Sequence, residues 1–180
     1  MKIVQLQTPK QGIDAEVLAQ ACHDEYATSH EFDTSAVAES CWRCVADKER
    51  KYLNCWLAYD DDDIPVGALI GAMYRSVYSR RFYAIQEMWF VVPRARRSLA
   101  AIQLLLAYEK WATARNAERI YTQVEHDNEP KLVERIIKFM QGLGYNKQGY
   151  IAVKRPKYTQ EEPNNDRSTH RGVGAEQAQV

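Results

Sequence analysis

The sequence predicts an α/β (α+β) fold, with a mixed, mostly antiparallel sheet of six to seven strands flanked by about four helices. Three observations carry that expectation. Stretches rich in β-branched and aromatic residues interleave with stretches of helical apolar period in the order β, α, α, β, β, β, α, β, α, β. The central strand segments follow one another across short polar turns, as antiparallel neighbours do. A chain of 180 residues, 46% of them hydrophobic, suffices for one domain with a core, and two full domains are not expected.

Residues 3–7 open as a short strand. Asp14 is a candidate N-cap for a helix reaching Tyr26, with Val17, Leu18 and Ala21 on one apolar face. The polar run TSHEFDT, 28–34, reads as a loop, and a second helix is expected from Ser35 to about Lys51. YLNCWLAY, 52–59, has strand composition, while the four acids and Pro65 of 60–67 interrupt any ladder and turn the chain. Residues 66–78 and 82–92 are the next two strands, separated by SRR at 79–81, and Pro93 ends the second. A long helix is expected from Ser98 to Arg115, because Ala101, Leu104, Leu105, Tyr108, Trp111 and Ala112 keep one stripe. Asn116, tolerant of the left-handed conformation, can close it. A strand at 118–125, a helix opened by Asn128 and Pro130 and stopped by QGLGY at 141–145, and a last strand at 148–154 complete the order.

Lysines and arginines number 24, as do aspartates and glutamates, so no long-range field draws polyanions, and neither nucleic acid nor a membrane is an expected partner. The opening MKIVQLQTPK lacks the apolar core of a secretory signal, and no later run approaches the roughly 18 apolar residues of a membrane span. A cytoplasmic protein is expected. Cys22, Cys41, Cys44 and Cys55 are too few to staple a chain of this length, so reduced thiols are expected. CWRC at 41–44 sits mid-helix and reads as a helix-face pair, and His23, His30, His126 and His170 lack ligand spacing, so no metal is expected. Residues 1–155 are expected to form the domain. From Pro156 large aliphatic side chains nearly vanish, and residues 156–180 form a polar tail that is disordered unless bound to a partner.

EMWFVVPRARRSLAAIQLL, 87–105, resembles the strand, loop and helix of the Gcn5-related N-acetyltransferase family, where V-x-P precedes R-G-x-G-x-G/A and a helix with a Leu pair. EKWATARNAERIYTQVEHDN, 109–128, is similar to that family's helix, turn, fifth strand and following Asn. FMQGLGY, 139–145, and IAVKR, 151–155, are similar to its LGF motif and final strand. The resemblance covers roughly residues 1–155, and its texture is that of bacteriophage-encoded members. It implies acetyl-CoA as co-substrate between strands four and five, an amine as acceptor, and Glu87 as general base, usually through water.

For the cofactor the resemblance implies the backbone of Trp89, Phe90, Val91 and Val92, the loop Arg96, Arg97, Ser98, Leu99, Ala100 and Ala101, and Asn128. Unpaired N–H groups at a helix N-terminus suit a diphosphate, Arg96 and Arg97 add cationic donors, and Ser98 can cap the helix. Arg97, Leu99 and Ala101 replace the family's glycines, and Met140 stands where its general acid, a Tyr, is usual. If the loop cradles phosphate, the Leu99 side chain is expected to turn toward the sheet. Asp24, Glu25, Glu31 and Asp33 lie between the first two helices, where the family's acceptor site is lined, and an acidic rim there would favour a cationic amine, on a small molecule or a protein. The replaced residues also support a second reading. In it the fold is a catalytically degenerate interaction or phage virion structural protein, with 156–180 engaging an assembly partner, and its place is the virion rather than the cytoplasm of a bacterial or phage-infected cell.

Overall fold

The computed structural model describes residues 1–26, 32–46, 52–124 and 130–147. Among them the chain forms β1 (Lys2–Gln5), α1 (Pro9–Tyr26), α2 (Thr34–Ala46), β2 (Leu53–Tyr59), β3 (Pro65–Arg75), β4 (Phe82–Val91), a single 3-10 turn at Pro93–Ala95, α3 (Ala100–Ala114), β5 (Arg119–Tyr121) and α4 (Pro130–Gly142). The expected strand at 148–154, the tail 156–180 and Asn128 fall outside the described residues.

The five described strands are ordered β1-β2-β3-β4-β5, fewer than the six to seven expected. The first four are antiparallel, whereas β5 runs parallel to β4, as the crossover through α3 requires. Leu104, Leu105, Tyr108 and Trp111 of α3 pack with Trp56, Leu69 and Val91 on one face of the sheet. Leu18 of α1 and Cys41 and Cys44 of α2 pack with Cys55, Leu57 and Phe90 on the other. The four thiols are free, and burial pushes Cys22 and Cys41 up to about 11, so CWRC is a packing feature.

Local chemistry moves two helix starts. α1 begins at Pro9, ahead of Asp14, because Thr8 and Gln11 form a reciprocal cap: Gln11 N–H donates to Thr8 Oγ1 at 3.3 Å, and Thr8 N–H to Gln11 Oε1 at 3.0 Å. Asp14 lies inside the helix, where Lys10 Nζ (2.9 Å) and the Tyr59 hydroxyl (2.6 Å) donate to it. The buried stripe is Ala15, Leu18 and Ala19, and Val17 faces outward. α2 starts at Thr34 because Asp33 Oδ1 accepts the N–H groups of Ser35 (2.8 Å) and Ala36 (3.1 Å). Pro65 begins β3 rather than interrupting it, since the first strand position tolerates a missing donor. Asn116 closes α3 at φ 55°.

Candidate active site

β4 carries an extra residue. Ile70 of β3 pairs with Met88 and Gly71 with Gln86, which leaves Glu87 without a partner, a β-bulge in mid-strand. Across β4 the ladder to β5 holds only for Tyr83–Arg119, Ala84–Ile120 and Ile85–Tyr121, and the pairing ends just before the bulge. Gln86, buried, closes the last paired position by accepting the Gln123 N–H at 3.1 Å. Tyr108 of α3 lies over the bulge with its hydroxyl donating to the Tyr121 carbonyl at 3.0 Å. Its ring comes so close to β3 that a Cβ on Gly71 would stand 2.6 Å from it. A glycine is therefore required at Gly71 by the packing that spans the split.

The Glu87 side chain is exposed, and the Tyr74 hydroxyl donates to its Oε1 at 2.6 Å. That bond raises the Tyr74 pKa, because losing the phenolic proton would set two anions together. Tyr108, pushed up chiefly by burial and further by the Glu87 charge, stays a neutral donor.

Beyond β4 the backbone folds tightly. Val92 N–H bonds the Val66 carbonyl (2.9 Å), Ala95 N–H the Val92 carbonyl (2.9 Å) and Ser98 N–H the Ala95 carbonyl (3.0 Å). The helix starts at Ala100, two residues later than expected. Leu99 is its N-cap residue, without a side-chain cap bond, and Ser98 Oγ accepts the Ala100 N–H at 3.2 Å. Leu99 is 63% exposed, so its side chain does not pack toward the sheet as expected. Ala100 is buried and Ala101 half-buried.

The two loop arginines differ. Arg96 donates through Nε to the Val91 carbonyl at 3.0 Å, sits over the Phe90 ring at 6.0 Å and pairs through Nη2 with both Glu25 carboxylate oxygens at the end of α1. Arg97 is exposed and forms no ion pair among the described residues. Phe90 and Val91 are buried and Val92 half-buried, so their side chains belong to the core. Met140 is buried in the α3-side core, and Tyr145 nearby is held far above the ordinary tyrosine range by burial and then by Glu109.

Of the acids expected to rim an acceptor, Asp24 and Glu25 lie in the last turn of α1 and Asp33 directly before α2, and each has a partner. Asp24 accepts from Gln20 at 2.7 Å, Glu25 holds Arg96, and Asp33 caps α2, while Glu31 lies outside the described residues. Tyr74, Gly71, Gln86 and Trp89 join the site without having been singled out for it by their side chains. A glycine inside a strand pattern was the available signal for the bulge. Among the described residues no group of three or more His, Cys, Asp and Glu side chains could hold a metal ion, and no helix is long and apolar enough to cross a membrane.

Residues 18–145 match the family model described as Acetyltransferase (GNAT) family. No curated protein matches the sequence significantly. Among solved structures, an apo aminoglycoside 6'-N-acetyltransferase from Acinetobacter haemolyticus shares 18% identity at a TM-score of 0.63, over 88% of this chain and 99% of that one. The aminoglycoside N-acetyltransferase AAC(6')-Iy in complex with CoA shares 16% at 0.66, over 87% and 95%. An aminoglycoside acetyltransferase from an uncultured soil metagenomic sample, in complex with sisomicin, shares 16% at 0.63, over 87% and 96%.

Proposed function

The chain belongs to the acetyltransferase (GNAT) family, and from that premise we propose that it transfers an acetyl group from acetyl-CoA to an amine, with Glu87 as the general base. The observation that carries the proposal is the bulge. It presents a carboxylate beside the point where the described pairing of β4 and β5 ends.

The residues present fit coenzyme A. The Trp89 indole N–H is buried on the unpaired stretch of β4 with no acceptor among the described residues, which suits a ligand amide or carbonyl beside the strand. The first turn of α3 carries backbone N–H groups and Arg97 adds a cation, while the exposed Leu99 side chain, which is not packed toward the sheet, has to swing aside for a diphosphate to reach them. These groups would hold the diphosphate, and Asn128 would complete the cofactor contacts. Arg96 contributes indirectly, by tying α1 to the end of β4.

Acetyl-CoA supplies an acetyl group activated as a thioester. Glu87 accepts a proton from the acceptor's ammonium, directly or through one water, so that the nitrogen lone pair is free to attack. Tyr74 holds the carboxylate in place during that transfer. The new C–N bond forms as the C–S bond breaks, and the sulfur leaves with its electron pair. Met140, in the core, has no proton to give, so the thiolate departs unassisted from that position and takes its proton from solvent. Turnover of acetyl-CoA with a panel of amines, beside calorimetric titration with coenzyme A, tests the proposal. No binding near 1 mM would favour the degenerate reading, in which residues 156–180 serve an assembly partner.

A further inference from the structure

On the face of the sheet that carries Glu87, three adjacent strands each contribute a tyrosine. Tyr74 of β3 and Tyr83 of β4 are register partners with rings stacked at 6.1 Å, and Tyr121 of β5 meets Tyr83 edge-on at 5.8 Å. Tyr74 is 44% exposed and the other two are half-buried, so the row is a floor open to solvent. A row of half-exposed aromatic rings beside a catalytic carboxylate offers an apolar surface for the acceptor's carbon skeleton.

The charges at its two ends differ in sign. Glu87 lies at the end next to the split. At the other end Arg119 stands opposite Tyr83, on the same face as Tyr121, and its Nη1 donates to the Tyr121 hydroxyl at 3.4 Å. Arg119 forms no ion pair among the described residues, and the neighbouring acid Glu118 is held by Arg81 at 3.1 Å. Glu87 is four residues along β4 from Tyr83, a separation on the order of 10 Å along a strand.

Resting on the transferase reading, we infer that this tyrosine-floored strip is the acceptor site and that it takes an amine bearing a carboxylate several ångströms from the nitrogen, rather than a polyamine. The amine meets Glu87, the skeleton lies on the rings, and the carboxylate meets the guanidinium of Arg119, whose fork matches its two oxygens. A second ammonium at that end would face the Arg119 guanidinium, which disfavours it.

Three probes of equal chain length separate the cases: 6-aminohexanoate, hexylamine and 1,6-diaminohexane, titrated into the full chain with and without coenzyme A. The expected order is 6-aminohexanoate tightest, by about tenfold over hexylamine, and the diamine weakest. Arg119→Ala should abolish the difference between the first two, and Arg119→Lys should keep part of it. Tyr83→Leu should weaken both monoamines alike, while Tyr83→Phe should not, and thermal unfolding verifies that each variant is folded. A diamine that binds tightest, equal affinity for 6-aminohexanoate and hexylamine, or no amine binding by the folded wild type overturns the inference. Such a result together with intact coenzyme A binding leaves the transferase standing. The expected order without coenzyme A binding would instead remove the transferase and keep the site.

Discussion

The two ends of the unpaired stretch of β4 treat their polar groups in opposite ways. At Glu87 the strand bulges, and the carboxylate is left exposed with one donor, Tyr74. At the far end the loop is bonded to itself, and Arg96 is spent on the Val91 carbonyl and Glu25. Charge in the sequence is thus a poor guide to charge available for a ligand. One of two adjacent arginines is part of the scaffold, and a lone glutamate on a strand is the group left open.

Five substitutions sharpen or break that contrast. Glu87→Gln keeps shape and removes the base, so kcat should fall by about 10² to 10⁴ while coenzyme A affinity is unchanged in titration. A rate within twofold of wild type would return Glu87 to the role of a surface residue. Gly71→Ala acts on the same end through packing. Its Cβ would lie 2.6 and 2.7 Å from the fully buried Tyr108 ring, so stability in urea should drop by about 3 kcal/mol. An unchanged midpoint would mean that Tyr108 can leave the bulge freely.

At the loop end, Arg97→Ala should weaken coenzyme A binding by about 1.5 to 3 kcal/mol, more at low salt than at high, and leave unfolding unaltered. Arg96→Ala should do the reverse, costing about 1 kcal/mol of stability, with little salt dependence in the binding. If the two variants behave alike in both assays, the division of labour between them is wrong. Smallest of all, Leu99→Gly should shift stability by less than about 0.5 kcal/mol, because glycine is the better N-cap residue and no cavity is opened. A loss near 2 kcal/mol would show that the leucine packs after all.

Much of this architecture was legible in the residues. The segments 53–59, 82–91 and 100–114 appear as strand, strand and helix close to where apolar period and turn chemistry put them, since each pattern suits only one of the two periods. The left-handed Asn116 was legible for the same local reason. The start of α1 was misplaced because Asp14 is a better-known cap type than the pair Thr8 and Gln11, whose reciprocal bonds close only when both are in place. The acids around the turn from α1 to α2 looked like an acceptor rim, but Glu25 holds an arginine and Asp33 caps α2.

By itself the sequence determined the order of elements from β1 to α4, because that order depends on periodicity and on neighbours a few residues apart. Only the tertiary structure decided that Glu87 is the bulged residue, that Tyr74 holds it, that Arg96 reaches Glu25, and that tyrosines from β3, β4 and β5 line up between charges of opposite sign. Arg96 and Glu25 are 71 positions apart, and Arg81 and Glu118 are 37 apart. Such pairs meet only when the whole chain is packed, and for Glu87 and the tyrosines strand register decides: a shift of one residue would turn those side chains to the other face.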